Sequence, residues 1–320
     1  MKFAILIATR NRHKALSTLL RDISNSTIFP DQLVVVSSGE PISVPKDKLF
    51  KHLEVSHVHF EPGGQIAQKM IGIKLLRDEI EWVIFLDDDI RLHYQLLEDF
   101  VREVSNISVY EKPPVAGIGF KLPTTNRLNN HHFWTKKVAR LFLLDSPDRG
   151  RILRSGHPTD YLESKIPINT EWLNGISAWR RDTLLLYQST YQNTRYASME
   201  DVFFSYKVSR NFKLRYCPSL NVDFQQEYMT NLNTTKIFSL TSIWTYYFVR
   251  SHDEMSMKSF FISQVGRSLY FCLSRKHELK RRFRMYACLK VNYLIMENGI
   301  KRETFDKLLA KIDKVEGFKD

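Results

Sequence analysis

The sequence predicts an α/β protein, a sheet flanked by helices with a further helical region after it. In the first 120 residues short β-branched runs alternate with segments of helical periodicity, several apolar runs end in polar clusters, and beyond residue 235 the pattern is helical. FAILIAT (3–9) and QLVVVSS (32–38) are compact and bounded by polar turns, and HKALSTLLRDIS between them carries apolar residues at helical spacing. VSHVHF supplies a third strand, GGQIAQKMIGIKLLRDEI a helix opened by glycine, and WVIFL (82–86) a fourth strand. Such alternation favours parallel strands covered by helices. Ligands of such sheets sit at the carboxyl ends of the strands, which puts Thr9, Arg10, Ser37, Ser38 and Asp87 to Asp89 along one rim.

After the aspartates, YQLLEDFVREV reads as a helix and PVAGIGFKL as a strand. From Pro123 to Pro167 periodicity fades into a polar stretch rich in Asn, His, Arg and Pro, read as loops around a site or an insertion. TEWLNGISAWRRDTLLLY restores order, and SMEDVFFSYKVSRNFKLRYCP is an acidic helix start followed by a helix and a strand, with Asn211 suited to a left-handed turn between them. The expected division is residues 1–235, with halves near 1–120 and 121–235, then a basic helical region over 236–320.

The chain has 320 residues, 43% of them hydrophobic, enough for a substantial core. Its net charge of +12 predicts attraction to a polyanion, whether nucleotide phosphates, nucleic acid or an anionic membrane face. Residues 236–320 hold 17 Lys/Arg and 9 Asp/Glu, against 30 and 26 in the rest, so the partner of the positive charge is sought at the C-terminal end. Three cysteines without a C-x-x-C spacing suggest plain thiols and a reducing compartment. The first apolar run reads better as a strand than as a signal peptide, and no apolar run reaches the roughly 18 residues of a membrane span. The expected location is cytoplasmic, with any membrane association peripheral, on the cytoplasmic face of the inner membrane.

Three adjacent aspartates repel one another, and a divalent cation or a metal-bound phosphate relieves that repulsion. Asp87 and Asp89 form a D-x-D at a strand end, a geometry that can send one carboxylate to a metal and another toward a ribose; a solvated strand end is the competing structural reading. Glu200 and Asp201 open a helix, where acids also favour the macrodipole. The adjacent His131 and His132 point apart and lack a second ligand pair, so a structural role outweighs metal binding. Trp172 is a candidate to stack on a sugar face, although large aromatics are more often core. Arg275, Lys276, Lys280, Arg281, Arg282 and Arg284, among large apolar residues, suit either a helix on an anionic leaflet or a packing helix with a solvated basic face.

Together these segments resemble the family 2 glycosyltransferases, inverting enzymes with a GT-A type Rossmann-like mixed sheet that binds a nucleotide sugar. FAILIATRNR is similar to their first strand and turn, FLDDDIRLHYQLLEDF to their D-x-D and following helix, WLNGISAWRRDTL to their acceptor segment, and MEDVFFSYKVSRNFKL to their E-D motif. The resemblance covers residues 1 to 225 in consistent order. It implies that Thr9, Arg10, Asn11 and Arg12 border the nucleotide, with Ser37, Ser38, Lys69, Asp87 and Asp88 on the same donor side. Asp89, with Asp87, would hold Mg²⁺ or Mn²⁺ against the diphosphate. Asp201 would be the general base with Glu200 as its neighbour, and Trp172, Asn174 and Gly175 would meet the acceptor.

The chain also departs from the family pattern. Ser37 and Ser38 stand where many members carry acids that read the base, which leaves the nucleobase open, with UDP or dTDP favoured. Lys69 and Met70 replace a frequent arginine-asparagine pair, and a solvated helix lysine is the alternative for Lys69. For a histidine ligand found in some relatives, the chain offers Asp223 or Glu227. The implied activity is inverting, metal-dependent hexosyl or deoxyhexosyl transfer to a glycan or polyprenyl-linked glycan in surface polysaccharide assembly, of O-antigen or capsule type. The competing classes are a nucleic-acid-binding or nuclease-like metal protein and an inactive nucleotide-sugar-binding module. Against the first, the basic residues lie away from the acidic motifs and no nucleic-acid-binding motif is present, so no nucleic-acid partner is expected.

Overall fold

The computed structural model describes residues 1–42, 55–61, 64–107, 110–123, 133–187, 199–225, 234–273 and 281–297. The chain forms two compact units: residues 1–125 with 161–229, and residues 126–160 with 230–320.

The first unit contains β1 (Phe3–Arg10), β2 (Gln32–Ser38), β3 (Val55–His59), β4 (Trp82–Asp87), β5 (Ile90–Leu92), β6 (Val115–Lys121), β7 (Ile168–Thr170), β8 (Ser177–Arg180) and β9 (Lys213–Phe224). They join in one sheet of order β3-β2-β1-β4-β8-β6-β9-β5, with β7 paired to β9. Strands β1 to β4 are parallel. The parallel expectation stops at β8, which runs antiparallel to both β4 and β6. It follows a short loop after β7 rather than a crossover helix, so nothing ties it to the parallel direction.

Strand alternation divides the core between two faces. Ile5, Ile7, Leu33 and Val35 pack with Leu16, Leu19 and Ile23 of α1 (His13–Ser24) and with Phe100 of α3 (Leu96–Ser105). On the other face, Leu6, Val34 and Val36 pack with Ile73 of α2 (Gln65–Lys74), Leu184 of α5 (Arg181–Tyr187), and Phe204 and Val208 of α6 (Glu200–Ser209). Gly72 allows α2 to lie this close to β1: a Cβ there would sit 2.5 Å from Leu6 Cδ1. That approach fixes where the polar face of α2 meets the sheet rim.

Asn211 does not take the left-handed conformation expected of it. Among the described non-glycine residues, positive φ occurs at Asn11 and Leu143. Helix α6 instead ends on N–H donation from Asn211 and Phe212 to the Val208 carbonyl, while the Asn211 side chain donates to Tyr187 Oη at 2.8 Å.

The second unit contains α4 (Phe133–Leu141), α7 (Thr234–Arg250), α8 (Met257–Leu273) and α9 (Arg281–Glu297). Trp244 and Phe248 of α7 and Phe260 of α8 are fully buried, and Phe238 stacks on Phe271 at 4.6 Å. Residues 126–160, read from the sequence with the acceptor half, group with these helices. A Cβ at Gly266 would meet Phe142 at 2.4 Å, so α8 packs directly on this segment.

After residue 256 the described helices of the expected basic helical region are α8 and α9. Arg284 does not belong to a solvated basic face: it is buried, and its Nη1 donates to the Phe271 carbonyl at 2.9 Å. Cys272 and Cys288, distant in sequence, are brought to 3.5 Å between their sulfurs. His131, His132, Glu227 and the segment 274–280 lie outside the described residues. No described helix is long and apolar enough to cross a membrane.

By unit, residues 126–160 and 230–320 hold 24 Lys/Arg and 12 Asp/Glu. The first unit holds 23 of each, so the whole net charge of +12 falls on the second.

Candidate active site

The carboxyl ends of β1, β2 and β4 form one rim, with register placing Thr9 beside Ser37 and Ala8 beside Asp87. The turn after β1 uses Asn11 at φ 54°, a conformation asparagine tolerates better than most residues. Its Oδ1 accepts the Glu40 N–H at 2.8 Å and ties the ends of β1 and β2 together. Arg10 is exposed. Arg12 reaches back to the aspartates, with Nη1 donating to Asp88 Oδ1 at 2.9 Å and Asp89 Oδ2 at 2.8 Å. Burial works against the Arg12 charge, but Asp88 and Asp89 outweigh it and the pKa is raised.

The three aspartates have three different environments. Asp88 is buried, accepting from Thr9 Oγ1 at 2.6 Å and from Arg12, so it braces the turn. Asp89 shares Arg12. Asp87 accepts from Gln65 Nε2 at 3.0 Å, and its pKa is pushed up to about 6, first by desolvation and then, against the pull of Lys69, by Asp89, Glu200 and Asp88. Gln225 holds the loop from behind, its Nε2 donating to the carbonyls of Asp88 and Ile90 and its backbone N–H to that of Asp89.

Lys69 is not a solvated helix lysine. It is 4% exposed and donates to Glu200 Oε1 at 2.8 Å. Burial works to neutralise it, yet Glu200, then Asp87 and Asp201, keep its pKa raised. Lys69 is thereby paired with the N-terminus of α6 and acts on Asp87 of the D-x-D through space. Glu200 Oε2 is buried with no partner among the described residues. Asp201 Oδ1 accepts its neighbour Val202 N–H at 2.8 Å. Its pKa is pushed up to about 7, first by desolvation and then by Glu200.

On the acceptor segment, a Cβ at Gly175 would lie 3.8 Å from Asp87 Oδ2, so this turn abuts the D-x-D. Trp172 is half-buried against Tyr161, ring centroids 4.6 Å apart. Asn174 is committed to the protein's own backbone: Nδ2 donates to the Phe120 carbonyl and Oδ1 accepts the Ile176 N–H, both at 3.0 Å. It shapes the turn that carries Gly175. Ser37 is buried on His57 Nε2 at 2.9 Å and His59 Nδ1 at 3.2 Å, whereas the buried Ser38 Oγ has no partner among the described residues. Asp223 is exposed on β9 opposite Arg91, remote in register from β4.

Gln65, Gln68 and Gln225 were not singled out from the sequence. Gln65, Gln68 and Lys69 are spaced to share one helical face, a signal readable in GGQIAQKMIG. Gln68 donates to the carbonyls of Thr9 and Val36 at 2.8 Å each and locks β1 to β2. Gln225 acts across 135 residues and more, and no local pattern marks it.

Five carboxylates, Asp87, Asp88, Asp89, Glu200 and Asp201, thus surround two fixed cations, Arg12 and Lys69. The donor set suits a hard divalent cation. Mg²⁺ and Mn²⁺ take one or two carboxylates and complete their shell with water and phosphate oxygens. Among the described residues no group of three or more His, Cys, Asp or Glu forms an all-protein cage. Asp87 and Asp89 are the candidates to hold such an ion.

A mixed α/β sheet of this order, with an acidic rim at its carboxyl edge, is the GT-A fold of glycosyltransferases. Residues 4–148 match the model of glycosyl transferase family 2. The chain is 31% identical over 90 residues, 28% of its length, to the uncharacterized glycosyltransferase YwdF of Bacillus subtilis strain 168, and the match spans 33% of that relative. Among solved structures, it resembles the mannosyltransferase PcManGT of Pyrobaculum calidifontis in complex with GDP-Man and Mn²⁺, at TM-score 0.51 and 12% identity over 99% of this chain and 81% of that one. It also resembles S. aureus TarS 1–349 in complex with UDP, at TM-score 0.50 and 16% identity over 97% and 83% of the two chains. At these identities the likeness is one of fold.

Proposed function

We propose that the chain transfers a hexosyl or deoxyhexosyl group, with inversion, from a nucleotide sugar to a hydroxyl of a glycan or lipid-linked glycan in surface polysaccharide assembly. The observation that carries this reading is the buried Lys69 ammonium, paired with Glu200 and acting through space on Asp87, which the reading takes as a donor-side carboxylate, and on Asp201, which it takes with Glu200 as acceptor-side. Mg²⁺ or Mn²⁺ at Asp87 and Asp89 would supply charge to stabilise the departing nucleoside diphosphate. Arg12 holds Asp88 and Asp89 in place. Asp201 takes the proton of the acceptor hydroxyl as its oxygen bonds to the sugar's anomeric carbon and the bond to the diphosphate breaks. A carboxylate with a pKa near 7 is both available as a base and strong enough to be useful. Lys69 donates to Glu200 beside it. The PcManGT and TarS complexes, with GDP-Man and UDP bound to the same fold, support a nucleotide-sugar donor; the buried serines on β2 leave UDP or dTDP as the donors to test first.

A panel of nucleoside diphosphates and nucleotide sugars, with and without Mn²⁺, tests the donor side by thermal stabilisation of wild type and Asp89→Ala. Mn²⁺-dependent stabilisation by one nucleotide, lost in the variant, supports the reading; no response from folded protein rejects it. The anomeric configuration of the product by NMR tests inversion.

The second unit supports a peripheral membrane contact. Phe261, Val265, Leu269 and Leu273 of α8 and Met285, Leu289, Tyr293 and Met296 of α9 are exposed at helical spacing, in the unit that carries the positive charge. Apolar stripes beside Lys and Arg suit an anionic leaflet. Co-sedimentation with phosphatidylglycerol vesicles but not phosphatidylcholine vesicles is the expected result.

A further inference from the structure

The second unit holds a cation that no carboxylate neutralises among the described residues. Arg267, on α8, is half-buried. Its Nη1 donates to Thr245 Oγ1 at 3.3 Å and its Nη2 faces His157 Nδ1 at 3.4 Å. These are its hydrogen-bond partners among the described residues. In the first unit Arg12 lies between two aspartates and Lys69 is paired with Glu200, so there both of these cations are compensated by carboxylates.

Both neighbours are held so as to aim the guanidinium. Thr245 donates its hydroxyl proton to the Thr241 carbonyl at 2.7 Å and keeps lone pairs for Arg267. His157 ends a tight turn in which the Gly156 N–H donates to the Leu153 carbonyl at 2.7 Å and the Leu153 N–H to the His157 carbonyl at 2.9 Å. Gly156 has φ +78°, and a Cβ on it would lie 2.6 Å from Val249 Cγ2, so the turn is pressed onto α7 and presents His157 to α8. Burial and then the Arg267 charge lower the His157 pKa to about 3. The imidazole is therefore neutral, accepts at Nδ1 and adds no second positive charge.

A guanidinium has five N–H donors. Two are engaged here, and the other three keep a full charge in a setting where desolvation lowers the pKa to about 10. A partly buried charge without a counter-ion costs some stability, and an oxyanion that accepts two parallel N–H bonds from the fork removes that cost. We infer that Arg267, aligned by Thr245 and His157, is the anchor of a binding site for a phosphate-class oxyanion, a phosphate monoester or diester. The net charge of +12 confined to this unit favours a phosphate over a singly charged carboxylate. This site lies within the second unit and does not rest on the proposed glycosyl transfer.

The test is a titration of the full chain with inorganic phosphate, read by the imidazole NMR signals of His157, assigned by their loss in His157→Gln. A saturable shift in wild type, absent with acetate at matched ionic strength and weakened at least about tenfold in Arg267→Gln, is expected. Arg267→Lys, which keeps the charge but not the fork, should fall between the two. In phosphate-free buffer Arg267→Gln should be as stable as wild type or more so, because an uncompensated charge is removed; a purely structural arginine would leave the variant less stable. Glycerol phosphate and phosphatidylglycerol vesicles identify the source: a shift with the soluble ester assigns a soluble phosphoester, a shift with vesicles alone a lipid headgroup. No phosphate-dependent shift in wild type, or an equal one in Arg267→Gln and Arg267→Lys, overturns the inference.

Discussion

The two units treat charge in opposite ways. The first is neutral overall, yet it gathers five carboxylates at one sheet edge and answers them with Arg12 and Lys69, each bonded to a carboxylate at 2.9 Å or less. The second carries the whole +12 and, among the described residues, leaves Arg267 with a threonine and a neutral histidine. Excess negative charge on a rigid rim calls for a cation and its phosphates, whereas an enclosed guanidinium calls for an anion. Local compensation, more than net charge, distinguishes what each unit is prepared to bind.

The largest effect that would break this contrast lies in the first unit. Asp201→Asn should lower kcat by about 10²- to 10⁴-fold with little change in donor-induced thermal stabilisation. In wild type, kcat should fall as pH drops below about 7, where Asp201 gains a proton, and this limb should vanish in the variant. Stability has the matching sign. A carboxyl whose folded pKa is raised contributes stability fully present below its unfolded pKa, near 4, and lost as pH rises through about 7. Asp201→Asn should flatten that decline in pH-dependent urea unfolding.

Next in size, Lys69→Met leaves Glu200 buried without its cation and should destabilise by about 3–5 kcal/mol at neutral pH. Adding Glu200→Gln should restore much of that loss in a double-mutant cycle without restoring turnover. If the single variant is as stable as wild type, the buried pair is not the compensation described here. Gly72→Ala comes third, at about 1–3 kcal/mol, because the new methyl meets Leu6 and pushes α2 away from β1. It should also weaken nucleotide-induced stabilisation, since Gln65, Gln68 and Lys69 move with the helix. The smallest shift belongs to the second unit, where Arg267→Gln should be neutral or mildly stabilising in chemical denaturation without phosphate.

Much of the sheet was legible from residue order. FAILIAT, QLVVVSS, VSHVH and WVIFL form strands because β-branched runs bounded by polar turns have few other ways to bury themselves. The antiparallel β8 was not legible, since strand direction depends on how the connection returns and not on composition. The aspartate rim could be read as acidic and close to a strand end, but the separate environments of Asp87, Asp88 and Asp89 could not. They come from Gln65, Thr9 and Arg12, which reach the loop from three different elements.

The sequence by itself determined the alternation of strand and helix, the concentration of positive charge toward the C-terminal end, and the family resemblance of its N-terminal part, because each is a property of neighbours along the chain. Only the tertiary structure decided that Lys69 is buried against Glu200 and not a surface lysine, that Asn174 serves a turn, that Arg284 is interior, and that Arg267 has no carboxylate beside it among the described residues. Each of these depends on which side chains meet across 13 to 131 intervening positions, and desolvation, which sets the value of every one of those charges, exists only once the chain has closed around them.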